Sequence, residues 1–143
     1  MEINKDLINQ LLEEAAVNPR LRQNYDLRTS PNDGSQRMLN AMLPGTVVPI
    51  HRHPMSNENV ICLCGRMMEV IYDDEGREKE RIPLNPAMGK YGCVVPAGVW
   101  HSVEVLEACV IYQANDGRYG EDGTEMWEGL NVAKKTEHCT LNL

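Results

Sequence analysis

Four side chains in the middle of the chain could bind one metal ion. His51 and His53 are separated by a single residue, and residues i and i+2 of a strand point to the same side. Glu58 follows a short turn, so a chain reversal there would bring its carboxylate back to the pair. His101 can reach the same ion only if the sheet curls on itself, as a barrel does. Three imidazoles and one carboxylate suit a divalent Mn, Fe, Co, Ni or Zn ion and leave coordination positions free on a six-coordinate metal.

The spacing of these residues is more specific than their types. The sequence runs Gly45, five residues, His51-Arg52-His53, four residues, Glu58, six residues, Gly65. From average residue usage, such a match arises by chance in well under about one chain in a thousand. The string resembles the first motif of the cupin superfamily, G-x5-HxH-x3,4-E-x6-G, and fits every fixed position of that motif.

The second cupin motif, G-x5-PxG-x2-H-x3-N, is matched at its centre by residues 96–101. Lys90 stands where the leading Gly is expected, and Val105 stands where the closing Asn is expected. The metal-binding histidine of the motif is kept. The resemblance implies a small β-barrel of two facing sheets, with the metal positions taken by His51, His53, Glu58 and His101.

A narrower resemblance extends beyond the two motifs. The predicted N-terminal helix is followed by the segments 19–25 and 36–38, and later by 74–76 and 116–120. This layout is similar to that of the WbuC-type cupins, which are found among bacterial surface-polysaccharide biosynthesis genes. The chain carries Gln113 where an acidic residue is expected in that family.

The elements that must position these residues follow from hydrophobic patterning. An apolar stripe with a helical period predicts a helix over residues 3–17, capped by Asn4 and ended before Pro19. Residues 20–35 are polar and are expected to be irregular. After residue 36, short β-type runs alternate with turn residues. The runs are 37–43, 46–50, 58–64, 67–72, 78–84, 92–95, 100–106 and 109–114. We therefore expect an all-β antiparallel barrel or sandwich with an N-terminal helix.

The expected organisation is one structural domain. Residues 1–35, the helix and the polar loop, would pack on a barrel formed by residues 36–143, which include the C-terminal tail. A chain of 143 residues is consistent with one domain.

Charge and composition exclude several classes of partner. The net charge is −7, from 14 basic and 21 acidic residues, which argues against nonspecific binding to nucleic acid or to anionic membranes. No stretch approaches the roughly 20 apolar residues of a membrane-spanning helix, and the first residues do not form a secretory signal. Five cysteines without a CxxC pair favour reduced thiols and a cytoplasmic location.

Other polar residues are candidates for binding a ligand beside the metal. An arginine fork with amides would match the hydroxyls, carboxylates or phosphates of a sugar-like molecule. The candidates are Arg22, Asn24, Gln36 and Arg37; the alternative is that they form a solvated rim. Beyond the four metal ligands we identify no additional general base. Glu104 lies three residues after His101 on the same expected strand, so its side chain would point to the opposite face. His138 is expected to be solvated.

Three functions remain open. The metal could act as a Lewis acid in a sugar isomerase, epimerase or lyase, or as iron in a dioxygenase. The barrel could instead be a non-catalytic module that binds a saccharide or carboxylate, or an empty barrel whose histidines have no metal. We expect a homodimer, because a small barrel has strand edges to cover.

Overall fold

A computed structural model describes residues 1–117 and 123–128. The α-helix of this part of the chain, α1, spans Lys5–Val17. The side chain of Asn4 caps the helix by accepting a 3.0 Å hydrogen bond from the backbone N–H of Leu7. The helix ends before Pro19 because the residue that precedes a proline disfavours the helical conformation. The predicted helix and its cap are therefore confirmed, with the first turn starting two residues later than expected.

The rest of the described chain is an antiparallel sheet. The strands are β1 (Arg22–Asp26), β2 (Ser35–Met42), β3 (His51–Arg52), β4 (Glu58–Tyr72), β5 (Glu78–Leu84), β6 (Gly92–Val95), β7 (Trp100–Asp116) and β8 (Glu125–Met126). A short 3-10 helix at Pro86–Met88 joins β5 to β6. The central strand is β7, which pairs with β4 along one edge and with β2 and β3 along the other. The all-β class with an N-terminal helix is confirmed.

Three details differ from the expected elements. The segment expected to be irregular contains β1, whose backbone pairs with β2 along its whole length. No strand forms over residues 46–50, where Pro49 lacks a backbone N–H for a ladder. The runs 58–64 and 67–72 form the single strand β4, and 100–106 and 109–114 form the single strand β7. The two expected sheets are thus continuous through these long strands.

The long strands bend enough for their opposite ends to meet. In the β4–β7 ladder, Asn59 pairs with Ala114 and Ile71 pairs with His101, at the two ends of the ladder. The register shifts three times between Cys62 and Met67, and such bulges bend a strand. As a result, Glu58 and His101 approach within 3.4 Å although they lie at opposite ends of the paired strands.

Two apolar clusters hold the fold together. The interior cluster consists of Met42, Val60, Cys62, Met67, Leu84, Val105, Cys109 and Ile111. The second cluster joins α1 to the outer face of β2 and β7, through Leu11, Ala15, Leu39, Ala41 and Val110. Every one of these side chains is at least nine-tenths buried, and burial of apolar surface is the main force that stabilises such a fold.

The cysteines of the described chain are free thiols: Cys62, Cys64, Cys93 and Cys109. Cys139, His138 and residues 118–120 of the predicted 116–120 segment lie outside the described residues. No helix within the described part is long and apolar enough to cross a membrane.

Candidate metal centre

The three histidines are brought together by β3 and β7. His51 on β3 pairs in register with His101 on β7, and their ring centroids are 4.2 Å apart. His53 follows β3 directly, with its ring centroid 5.0 Å from that of His51. His51 is 6% exposed and His101 is 1% exposed. The rings therefore meet in the interior of the sheet, away from solvent.

Backbone carbonyls set the orientation of two imidazoles. Nδ1 of His51 donates to the carbonyl oxygen of Pro49 at 2.8 Å, and Nδ1 of His101 donates to that of Val99 at 2.9 Å. A carbonyl can only accept, so Nδ1 carries the proton and Nε2 keeps its lone pair. The lone pairs of both rings are thus available to a cation.

Glu58 completes the group at the start of β4. Its Oε2 lies 2.7 Å from Nε2 of His53 and 3.4 Å from Nε2 of His101. Its Oε1 accepts a 3.0 Å hydrogen bond from Nε2 of Gln113. One donor atom from each of the four residues His51, His53, Glu58 and His101 lies within 4.8 Å of the others.

The local electrostatics favour the protonation states that a metal requires. Burial, with the neighbouring His101, lowers the pKa of His51 to about 3. Burial alone would raise the pKa of Glu58, but the imidazoles of His101 and His53 outweigh it and hold that pKa well below its usual range. A neutral imidazole and an ionised carboxylate are the forms that coordinate a divalent ion.

One buried atom in the group points to a missing partner. Nε2 of His101 makes no hydrogen bond to the described residues, although its side chain is 1% exposed. Its neighbour Oε2 of Glu58, 3.4 Å away, is an acceptor, to which an unprotonated Nε2 cannot donate. Buried polar atoms are normally paired. With three imidazole nitrogens and one carboxylate oxygen converging, the group fits a divalent transition metal and could bind one.

The candidate ligand-binding residues divide between two faces. Arg22 and Asn24 alternate on β1 opposite Met42 and Asn40 of β2, and Met42 belongs to the interior cluster. Gln36 lies on that same inner face of β2, by its spacing from Met42. Arg37 points to the opposite face, where it forms an ion pair with Asp33. Arg22, Asn24 and Gln36 thus share one face of the sheet, whereas Arg37 lies on the other face; Gln36 and Arg37 both line a surface cavity.

A surface cavity of about 550 Å³ opens at the beginning of β2. It is lined by Gln36, Arg37 and the segments 55–57 and 114–116, among others. The four residues of the metal group do not line it. The cavity and the buried group therefore share no lining residue.

Sequence reasoning missed two polar side chains of the interior, Asn40 and Glu69, and it assigned no contact to Gln113. Nδ2 of Asn40 donates to Oε1 of Gln113 at 3.3 Å, and Gln113 in turn donates to Glu58. Glu69 on β4 is 1% exposed. The signal that could have identified Glu69 is its spacing of two residues from both Met67 and Ile71, which places all three side chains on the same face of an apolar strand.

Arg52, which lies between two histidines of the group, faces the other way. Its guanidinium forms an ion pair with Glu125 at 3.3 Å and stacks over the ring of Trp100 at 4.3 Å from the centroid. This arrangement ties β3 to β8 and β7 and so holds the strand that carries His51.

The fold is similar to several solved structures. An oxalate oxidase in complex with glycolate is 16% identical, with a TM-score of 0.59 over 77% of this chain and 57% of that chain. The protein TT1209 from Thermus thermophilus is 22% identical, with a TM-score of 0.59 over 82% of this chain and 99% of that chain. A cupin superfamily protein from Desulfitobacterium hafniense is 19% identical, with a TM-score of 0.53 over 66% of this chain and 76% of that chain.

These likenesses show a cupin-type barrel fold. The chain spans only 57% of the length of the oxalate oxidase chain. A comparison with curated protein sequences finds no match.

A family model described as a domain of unknown function, DUF6016, matches residues 3–84. The matched segment contains α1, the strands β1 to β5, and three of the four residues of the metal group. It covers more than half of the 143 residues, and the chain therefore belongs to the DUF6016 family.

Proposed function

We propose that this chain holds one divalent transition-metal ion through His51, His53, Glu58 and His101, and that it binds a small carboxylate or sugar-like molecule there. The observation that carries the proposal is the convergence of four donor atoms within 4.8 Å in a buried group. A bound ion would act as a Lewis acid that polarises an oxygen of the ligand. The donor set suits Zn, Fe, Mn or Ni.

Polar side chains on the inner face of β1 and β2 support this class of ligand. Arg22 is 2% exposed on the inner face of β1, and guanidinium groups match carboxylates in geometry and charge. Oδ1 of Asn24 and Oδ1 of Asn40 are buried without a hydrogen-bond partner in the described part of the chain. They can accept hydrogen bonds from hydroxyl groups. The oxalate oxidase of similar fold was solved with glycolate, a small hydroxy-carboxylate.

Ligand binding is the proposed function, and a separate experiment decides whether the bound ligand is also converted. A sugar isomerase or epimerase would rearrange the bound molecule, whereas a dioxygenase would consume O₂. A binding module would shift the melting temperature with ligand and leave the ligand unchanged. Product analysis after incubation with the metal-loaded protein distinguishes these cases.

The metal is tested by elemental analysis of tag-free protein purified without chelator. We expect about one equivalent in the parent and in His138→Ala, which removes the one histidine of the sequence outside the group. We expect little metal in His51→Ala and His101→Ala with the circular dichroism of the fold retained, because each removes one of four ligands. Equal metal content in all four proteins would overturn the proposal.

We also propose two finer points. The resemblance to WbuC-type cupins supports a role in surface-polysaccharide biosynthesis. Self-association as a homodimer is supported by exposed apolar side chains on and beside the outer face of β4 and β6, namely Ile61, Leu63, Tyr91 and Val94. Light scattering is expected to give twice the chain mass of 16.1 kDa; a monomer at micromolar concentration would contradict the homodimer.

A further inference from the structure

Glu69 is an acidic side chain in the apolar interior. It lies on β4 and pairs with Val103 of β7 and with Ile82 of β5. Both of those side chains pack against the interior cluster. Its neighbour by parity, Met67, is a member of that cluster. Glu69 therefore projects into the barrel and not to the surface.

The carboxyl group of Glu69 has no protein partner among the residues that the structure describes. Neither Oε1 nor Oε2 makes a hydrogen bond to them, and the side chain is 1% exposed. A buried carboxyl that only supports the fold is normally paired, because an unpaired one destabilises the protein. Its burial here points to a partner outside the described residues.

The position of Glu69 relates it to the metal group. Two residues further along β4, Ile71 pairs with His101, so Glu69 and His101 are diagonal neighbours on the inner face. Burial, and then the negative charge of Glu58, raise the pKa of Glu69 well above its ordinary value. Protonation of the group is therefore favoured, and a carboxylic acid can donate one hydrogen bond and accept another.

Glu69 and the interior amides come from different parts of the sheet. The amides of Asn40 and Gln113 project from β2 and from the C-terminal half of β7, whereas Glu69 projects from β4 opposite the N-terminal half of β7. A small molecule held at the metal group could thus contact polar groups from two sides.

We propose that Glu69 is a ligand-contacting residue whose carboxyl group hydrogen-bonds an oxygen of a small hydroxy-carboxylate bound at the metal group. The inference rests on the proposed function, because it needs the ligand to be held beside His101. It adds a specificity-determining contact to that function: Glu69 would select molecules with an oxygen placed on the β4 side of the metal.

The test uses full-length protein loaded with zinc, and glycolate as the probe. Wild type is compared with Glu69→Gln, Glu69→Met and the surface control Glu104→Gln, which alters an exposed carboxylate paired with Arg81. Bound zinc is measured by elemental analysis, the Kd for glycolate by calorimetry, and the melting temperature without glycolate by calorimetric scanning.

We expect all four proteins to hold the same amount of zinc. The Met variant should bind glycolate at least about tenfold more weakly, since it loses a hydrogen bond to an ionised ligand. The Gln variant, which keeps a donor and an acceptor, and the Glu104→Gln control should stay within about threefold of wild type. The Met variant should melt no lower than wild type, because an unpaired buried acid has been removed.

Other outcomes overturn the inference. An unchanged Kd in the Met variant would show that Glu69 does not contact glycolate. A lower melting temperature in both Glu69 variants would show that the side chain stabilises the fold instead. Zinc-loaded wild type that does not bind glycolate would overturn the inference while metal binding stands. Wild type that holds no zinc would overturn the proposed function and this inference with it.

Discussion

Gln113 donates a 3.0 Å hydrogen bond from Nε2 to Oε1 of Glu58. Its own Oε1 accepts a bond from Nδ2 of Asn40 at 3.3 Å, so the orientation of the amide is determined by its two partners. With Oε1 occupied, the Oε2 atom of Glu58 is the one that faces the imidazoles. A carboxylate at position 113, as the resemblance to WbuC-type cupins leads one to expect, could not donate this bond at neutral pH.

Replacement of Gln113 tests whether this bond supports the metal group. We expect Gln113→Met to weaken metal binding by about 10- to 100-fold, because removing a residue that orients a metal ligand typically has that effect. The measurement is the Kd for zinc, obtained by competition with a chelator of known affinity. Gln10→Met, on the exposed side of α1, is the control and should bind zinc as wild type does. Equal zinc affinity in both variants would show that the bond has no part in metal binding.

The features that could be predicted from the sequence are mostly those that local signals determine. The helix follows from its apolar stripe and from Asn4, both of which act within a few residues. The proximity of His51 and His53 follows from strand parity alone. His101 was placed with them by its motif, and the structure brings it there by pairing in register with His51.

The remaining features depend on tertiary contacts that local patterns do not encode. The polar sequence of β1 becomes a strand because its backbone pairs with β2. The bend that joins Glu58 to His101 depends on register shifts near Gly65, which look like a strand break in the sequence. Glu69 was missed because a single acid within an apolar run is normally placed on the solvent face.

The raised pKa of Glu69 predicts a specific pH dependence of stability. Above the ordinary pKa of 4.5, the unfolded carboxyl loses its proton while the native one keeps it. The native state then binds more protons, so the free energy of unfolding falls as pH rises, by up to about 1.4 kcal/mol per pH unit. Glu69→Gln removes this term, so the variant should gain stability over wild type as pH rises above 4.5.

The measurement is urea unfolding of metal-free wild type and Glu69→Gln at about pH 4, 5.5 and 7. The difference in unfolding free energy should be smallest at about pH 4 and should increase at about pH 5.5 and 7, because the unfolded carboxyl ionises around its ordinary pKa of 4.5. A difference that does not change with pH would show that the native carboxyl of Glu69 titrates like an exposed one.

Three cysteine thiols are expected to be unreactive in the native protein. Burial raises the pKa of Cys62 to about 11, and the pKa values of Cys93 and Cys109 to about 12. Because the thiolate is the reacting form, reaction with Ellman's reagent at about pH 8 should be more than about 100-fold slower than for an unperturbed thiol. The variant with Cys64→Ala and Cys139→Ala isolates these three. It should react fully and rapidly only in denaturant, and a rapid native phase would contradict the prediction.

Gly65 is expected to be essential for the bend in β4. Its φ of +82° disfavours any side chain, and a Cβ there would lie 2.1 Å from the carbonyl oxygen of Ala108 and 2.7 Å from Cα of Cys109. We expect Gly65→Ala to lower the free energy of unfolding by about 2 to 4 kcal/mol, from backbone strain and overpacking together.

A second glycine separates these two effects. Gly89 also has a positive φ, of +76°, but a Cβ there would meet nothing within 4 Å, so Gly89→Ala should lose only the strain energy of about 1 kcal/mol. Urea unfolding measures both variants. Because the bend brings Glu58 to His101, Gly65→Ala should also bind zinc more weakly, whereas Gly89→Ala should bind it as wild type does. Equal losses of stability in the two variants, with unchanged zinc binding, would show that β4 can bend without the close approach of Gly65 to Ala108.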